Sequence, residues 1–308
     1  MPIISELTEW TPPPGKPPAG LFVTDLDGTL LRSDRTVSEG DRTSLLRLGD
    51  QCVVRVVATG RSIFSFGRIE APQLPIDYII FSTGAGIAEY PGGKILRRAG
   101  LEPEEVGRAE AVLRELCLDF MIQRPIPETH VFGYAALSPS NPDFETRIAL
   151  YRPFAFPLNE GIGCFGPATQ LVAIVPRERG DEALAAVRAR LAELTVIRTT
   201  SPLDGISTWI EIFPAGVSKS LSAQWLASRL GVPDGRTLSV GNDYNDIDLL
   251  EWATTRFVTA NAPEELKRRF PAVASNNHGG VSEAIERWLD NKRFTVQRFT
   301  VKLRRRKG

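Results

Sequence analysis

The sequence predicts an α/β fold: a parallel sheet covered by helices on both faces, with a second, α+β unit inserted into it. Three observations carry this expectation. Short apolar runs alternate with helix-like stretches near both ends of the chain, each run stops at small or polar residues, and roughly 120 central residues break the alternation.

The first run, Gly20 to Thr24, passes at once into Asp25-Leu26-Asp27-Gly28-Thr29, a buried strand entering a tight loop. A polar helical stretch from Ser38 to Gly49 follows, then the run Cys52 to Ala58 ending in Thr59-Gly60-Arg61-Ser62. A third run, Tyr78 to Phe81, ends in Ser82-Thr83-Gly84. The alternation resumes with a helix over Ser220 to Leu230, a strand Thr237 to Val240 running into Gly241-Asn242-Asp243-Tyr244-Asn245-Asp246, a strand Arg256 to Thr259, and a closing helix over Val281 to Leu289. This is a Rossmann-like pattern, and in such sheets ligands gather at the carboxyl ends of the strands. The expected division is a core of residues 20–84 and 211–290, an inserted cap at 85–210, a loose N-terminal arm at 1–19 and a basic tail at 291–308. Within the insertion, helices are expected near Glu104 to Leu116 and Asp181 to Leu194, and strands at Gln170 to Val175 and Thr195 to Arg198.

The 308 residues carry 37 basic and 37 acidic side chains, so bulk charge does not point to nucleic acid or an anionic membrane as the main partner. Eight of the basic residues lie between Lys292 and Lys307, and such one-sign runs usually stay solvated. Three cysteines, Cys52, Cys117 and Cys164, fit neither a disulfide framework nor a zinc site, and a reducing cytoplasm is the expected location. No apolar window has the length of a membrane span. The sequence is silent on oligomeric state.

The chemistry gathers at strand ends. Asp25 and Asp27 leave one strand two residues apart, so both carboxyls aim at one point, with Gly28 allowing a sharp turn behind them. One carboxylate can attack a phosphoryl group while the other serves the leaving oxygen as acid and the incoming water as base. A carboxylate facing a phosphate dianion at ~4 Å meets two repulsions of roughly 4 kcal/mol each at an effective dielectric of 20, so cations are required. Lys219, at a helix start after Ser218, supplies an ammonium. The loop 242–246 supplies oxygen ligands for magnesium, and Thr59 a hydroxyl for a phosphate oxygen. Gly60, Arg61, Ser218 and Asn245 are the accompanying candidates for substrate contacts, with Arg61, at a strand end, equally readable as a phosphate or cap contact and as a structural ion pair.

Asp25-Leu-Asp-Gly-Thr29, Thr59, Lys219 and Gly241-Asn-Asp-Tyr-Asn-Asp246, in this order, resemble the four motifs of the haloacid dehalogenase superfamily. The insertion between the second and third motifs resembles the subclass with a large α/β cap, which includes sugar-phosphate phosphatases. The stretches Ala58 to Ser62 and His278 to Ile285 are similar to those of sucrose-phosphate phosphatases. The resemblance covers Gly20 to Leu289. It implies a magnesium-dependent phosphatase acting on a small phosphate ester. Asp25 would be the nucleophile, Asp27 the general acid and base with its carbonyl on the metal, Thr59 and Lys219 the phosphate binders. Asp25, Asp27, Asn242, Asp243 and Asp246 would hold the metal. One departure matters: Asn242 stands where the family usually has an aspartate, and the lost charge lowers the expected metal affinity. Two other readings are a phosphomutase on the same scaffold and a phosphate-binding protein with a weakened metal site.

Several polar residues have plainer readings. Asp248 is expected to cap its helix, His130 to lie incidentally on the insertion, His278 to mark a loop at the rim, and Trp252 and Trp288 to belong to the core.

Overall fold

The computed structural model describes residues 3–6, 17–69, 74–158 and 165–290. The chain builds β1 (Ile3–Glu6), β2 (Gly20–Thr24), α1 (Glu39–Asp50), β3 (Val53–Ala58), α2 (Ile63–Phe66), β4 (Tyr78–Phe81), β5 (Gly86–Glu89) and β6 (Ile95–Gly100). Next come α3 (Pro103–Glu115), β7 (Asp119–Gln123), β8 (Phe132–Ala135), α4 (Pro142–Leu150), β9 (Ala155–Pro157), β10 (Gln170–Val175), α5 (Arg177–Arg190), β11 (Thr195–Thr200) and β12 (Thr208–Phe213). The last part holds α6 (Lys219–Leu230), β13 (Thr237–Gly241), α7 (Ile247–Trp252), β14 (Thr255–Thr259), α8 (Glu264–Arg269), β15 (Ala272–Val273) and α9, over 280–290.

Two sheets result. The nine-stranded one runs β1-β6-β5-β4-β3-β2-β13-β14-β15, and the six-stranded one β11-β12-β10-β7-β8-β9. From β4 to β15 the first sheet is parallel throughout. β2 lies in its middle, with β3 on one side and β13 on the other, so the strand order reverses beside it. That reversal is where an open α/β sheet leaves a crevice. All five residues of β2 are buried, and its alternation assigns the two faces. Phe22 packs with Leu45 and Leu48 of α1 and with Ile285 and Trp288 of α9. Leu21 and Val23 pack with Ala223 and Leu226 of α6 and with Leu249 of α7. Each such side chain removed from water is worth about 1.5–3 kcal/mol.

The second sheet obeys the same period of two. Leu171, Ala173 and Val175 of β10 face α3 and α5, meeting Val106, Leu113, Leu184 and Val187. Val172 and Ile174 face the other way, toward Phe144 of α4 and Phe64 of α2. Since α2 belongs to the segment just after β3, this face of the inserted sheet is turned to the first sheet's domain.

The division differs from the expected one at both ends. β5 and β6, placed by sequence in the insertion, continue the first sheet as an antiparallel meander from β4, with Tyr78 opposite Glu89. β12 extends the inserted sheet as far as Phe213, past the expected boundary at 210/211. Ile3–Glu6, expected in a loose arm, pairs antiparallel with β6. α5 starts four residues earlier than expected, at Arg177. The basic tail at 291–308 and Cys164 lie outside the described residues; Cys52 and Cys117 are exposed and unpaired in any disulfide. Among the described residues no helix is long and apolar enough to cross a membrane.

Candidate active site

At the end of β2, Asp25 is held by its own backbone, whose N–H donates to the Val240 carbonyl of the neighbouring strand. Gly28 then takes φ +76°, and a Cβ there would stand 2.6 Å from the Asn242 amide, so the loop needs glycine on both counts. Lys219 reaches the same point from the first turn of α6. Ser218 caps that helix through its Oγ, which accepts from the Leu221 N–H at 3.2 Å. Gly84, at φ +107°, lets the loop after β4 lie against this turn: a Cβ would fall 2.2 Å from the Ser218 carbonyl oxygen. Ser222 Oγ donates to the Gly84 carbonyl at 2.8 Å and closes the contact.

The Lys219 ammonium is fully buried and donates to Asp25 Oδ1 at 2.7 Å and Asp246 Oδ1 at 2.6 Å. Burial alone would lower it, but the carboxylates of Asp246 and Asp25 outweigh burial and hold it above the usual lysine range. Asp25 is pushed up to about 8, chiefly by burial, against the pull of Lys219 and with a further push from Asp246. One ammonium therefore does not fully compensate two buried carboxylates, and added positive charge at this point would favour ionised Asp25.

Asn242 borders the same carboxyl. Its amide lies 2.8 Å from Thr29 Oγ1, and the atom presented there is also 2.9 Å from the Asp27 carbonyl oxygen and 3.2 Å from Asp25 Oδ2. With nitrogen on that side, its two N–H groups donate among these three oxygens, and no cation is needed to hold them together. With oxygen on that side, it lies 2.9 Å from the Asp27 carbonyl oxygen and 3.2 Å from Asp25 Oδ2, three oxygens of the kind that hold magnesium. Among the described residues no three His, Cys, Asp or Glu side chains cluster as a metal site. A cation here would be held by one carboxylate, one carbonyl and one amide.

Several expected roles change. Asp246 has no oxygen to spare: Oδ1 takes Lys219, while Oδ2 accepts from the backbone N–H groups of Asn242 and Asp243 at 2.8 and 3.1 Å. It anchors the ammonium and the loop. Asp243, expected on the metal, turns to β11, where Thr200 donates to it through N–H at 2.7 Å and Oγ1 at 2.9 Å. Arg61 is not aimed at Asp25. Its Nε and Nη2 each lie 2.6 Å from the Asp27 carboxylate, a bidentate ion pair that engages both oxygens of this carboxyl. Ser218 is occupied as the helix cap, and Asp248, expected to cap its own helix, accepts from the Ser220 N–H of α6 at 3.0 Å. Thr59 is buried and its Oγ1 accepts from the Arg61 N–H at 3.1 Å, which leaves its proton to be donated. Gly60 and Asn245 adjoin: a Cβ on Gly60 would be 3.9 Å from Asn245 Nδ2.

Glu211 of β12 is the main residue the sequence reading missed. It lies 3.8 Å from that same Cβ position on Gly60, and Thr83 Oγ1 donates to its Oε2 at 2.7 Å. Ser82 and Thr83 both hold positive φ, 46° and 53°, a conformation costly for such side chains that this contact helps maintain. Burial pushes Glu211 up to about 7, against the Thr83 hydrogen bond. The signal was present in Thr-Trp-Ile-Glu-Ile-Phe, a lone acid within a buried strand. His130, expected to be incidental, stacks on Phe64 with ring centres 4.0 Å apart and meets Phe154 edge-on. Trp288 is core, as expected, and Trp252 packs partly buried beside α6. His278 sits in a short turn with Nδ1 2.7 Å from Ser275 Oγ.

The profile of the haloacid dehalogenase-like hydrolases matches residues 22–285. A protein named chloroplastic endoribonuclease YBEY, from Arabidopsis thaliana, is 25% identical over 89% of this chain, which spans only 47% of that protein's length. The HMP-PP phosphatase of Klebsiella pneumoniae is 26% identical over 89% of this chain and 97% of its own. Among solved structures, a phosphatase of the same superfamily from Bacteroides thetaiotaomicron superposes with a TM-score of 0.70 at 19% identity, covering 91% of this chain and 98% of the other. With the profile spanning the strand-end carboxylates, Lys219 and the 242–246 loop, the chain belongs to the haloacid dehalogenase-like hydrolase family.

Proposed function

We propose that the protein hydrolyses the phosphomonoester of a small metabolite, with sugar phosphates the favoured class, through an aspartyl-phosphate on Asp25. The observation that carries this reading is the buried Lys219 ammonium bound at once to Asp25 and Asp246, 2.7 and 2.6 Å away, at the switch point of the sheet. That arrangement orients a carboxylate and places a fixed positive charge where a phosphate oxygen would arrive. The Asp25 carboxylate attacks phosphorus and the bond to the leaving alcohol breaks. Asp27 gives its proton to the departing oxygen. Water then attacks the phosphorus of the aspartyl-phosphate, Asp27 takes its proton, and Asp25 is restored with release of phosphate. Thr59 donates to a phosphate oxygen, and Lys219 offsets its charge. Asp27 can serve only after parting from Arg61.

Magnesium fits the oxygens of Asp25, the Asp27 carbonyl and Asn242, and when bound it would add the positive charge that keeps Asp25 ionised. The inserted sheet is tied to this site by Glu211 on Thr83 and Thr200 on Asp243, so it is placed to act as the cap that chooses the leaving group. The name HMP-PP phosphatase, carried by a relative, agrees with a small phosphorylated substrate. The test is phosphate release from a panel of sugar phosphates, phosphoglycolate and an aryl phosphate, with and without magnesium, beside Asp25→Asn. Magnesium-dependent release that disappears in the variant supports the reading; no release from any ester overturns it, and a transferred rather than released phosphate indicates a mutase.

A further inference from the structure

Arg147, on α4, is a guanidinium with less company than its position demands. Its Cζ lies 4.0 Å from the centre of the Tyr151 ring, 5.5 Å from Trp209 and 6.0 Å from Phe132. Its Nε is buried and has no hydrogen-bond partner among the described residues. Asp143, one turn earlier on the same helix, acts on it only through space. The two oxygens of Asp143 are engaged elsewhere, Oδ1 by Ser201 Oγ at 2.9 Å and Oδ2 by Trp209 Nε1 at 2.7 Å.

The turn after α4 brings this group beside the loop after β3. Phe154, three residues past Tyr151, meets Phe64, three residues past Arg61, with ring centres 5.3 Å apart. Arg147 donates a hydrogen bond to the Tyr151 hydroxyl, which acts on Arg61 through space as well, and the two guanidiniums repel one another. Arg61 in turn is clamped on Asp27. Two cations, one from each sheet's domain, thus act on one another beside the expected acid/base: Arg61 is bound to the Asp27 carboxylate, while Asp143 and Glu211 act on Arg147 only through space. A second anion would relieve their repulsion. The planar fork of a guanidinium suits carboxylate and phosphate alike.

We propose that Arg147 and Arg61, with the Tyr151 hydroxyl beside them, form a subsite for a second anionic group on the leaving-group side of the substrate. The substrate class is then a sugar bisphosphate or a phosphorylated sugar acid, in place of a singly phosphorylated neutral sugar. An anion at this position also competes with Asp27 for Arg61 and so frees the carboxyl for proton transfer. The inference rests on the phosphatase reading above and deepens it.

The test is kcat/KM with magnesium for two matched pairs, 3-phosphoglycerate against glycerol 3-phosphate and fructose 1,6-bisphosphate against fructose 6-phosphate, in the full chain and in Arg147→Met and Arg147→Lys. The expected result is a preference of tenfold or more for the doubly anionic member of at least one pair. The pair that shows it tells carboxylate from phosphate. Arg147→Met should bring that ratio toward one, and Arg147→Lys should keep part of it. A role confined to packing would lower both members together and leave the ratio unchanged, which would overturn the subsite. So would equal kcat/KM for both members of both pairs in the unaltered protein. Absence of turnover for all four esters overturns the phosphatase reading, and the subsite with it.

Discussion

In the first sheet's domain, the buried cation Lys219 is matched by two carboxylates within 2.7 Å; the main chain of Asp25 is tied to the neighbouring strand, and the Asp246 carboxylate accepts from the backbone of its own loop. In the inserted domain, Arg147 is surrounded by aromatic rings, its Nε has no partner, and the nearby acid is committed to Ser201 and Trp209. The first arrangement suits chemistry that is the same for every ester, because the phosphoryl group always arrives at one place. The second suits recognition, because a cation with unspent donors gains most when a ligand supplies what the protein does not. The difference lies in the partners: the core ammonium is shared by two carboxylates that it does not fully compensate, whereas the guanidinium of the inserted domain keeps its Nε unpaired among rings.

This comparison can be broken, first, at the nucleophile. Asp25→Asn keeps the volume and a partner for Lys219 but removes the attacking charge. Phosphate release should fall by at least about a thousandfold, with the circular dichroism spectrum unchanged. Next in size is Lys219→Met. It leaves Asp25 and Asp246 buried without their ammonium, and an uncompensated buried charge costs about 3–5 kcal/mol. Urea unfolding should show a loss of that order, much larger than for Arg147→Met, whose ring contacts are partly kept by the thioether.

The contact between the two domains offers a pH test. Glu211 stands at about 7 when folded and at its model-compound value of 4.5 when unfolded. Between these values the unfolded chain releases the proton first, so the stability this group confers is present below pH 4.5 and is lost as pH rises to about 7. The upper bound is about 3 kcal/mol. Urea unfolding between pH 5 and 8 should show this decline in the unaltered protein and a flatter profile in Glu211→Gln; parallel profiles would refute the assignment. A smaller effect, about tenfold, is expected for Asn242→Asp, which restores a charge among the cation-facing oxygens. The magnesium concentration that half-activates the enzyme should fall. The least is Thr200→Val, which removes the Oγ1 contact to Asp243 but keeps the N–H contact, and should cost about 1 kcal/mol.

The parallel core was legible because its strands are continuous apolar runs ending in polar residues, and a strand buried on both faces must look that way. β2, β3, β4, β13 and β14 all fall where expected. Asp25, Asp27, Thr59 and Lys219 were legible too, since each stands at a strand end or helix start. Arg61, read equally as a ligand contact and as a structural ion pair, forms the ion pair, and Asp243, expected on the metal, holds Thr200 instead. Their partners, Asp27 and Thr200, lie 34 and 43 residues away, and no local pattern connects them. The meander β5–β6 was assigned to the insertion because alternation marks a strand without saying which sheet will receive it.

The amino-acid sequence by itself determined the doubly covered sheet and the set of acids, hydroxyls and ammonium available for chemistry, because these follow from periodicity and residue type. Only the tertiary structure decided which oxygen each donor holds. Asp246 is spent on Lys219, Asp243 on the cap and Arg61 on Asp27, while the Asn242 amide faces three oxygens. A hydrogen bond depends on distances of a few tenths of an ångström between groups far apart in the chain, and those distances exist only once both sheets have packed.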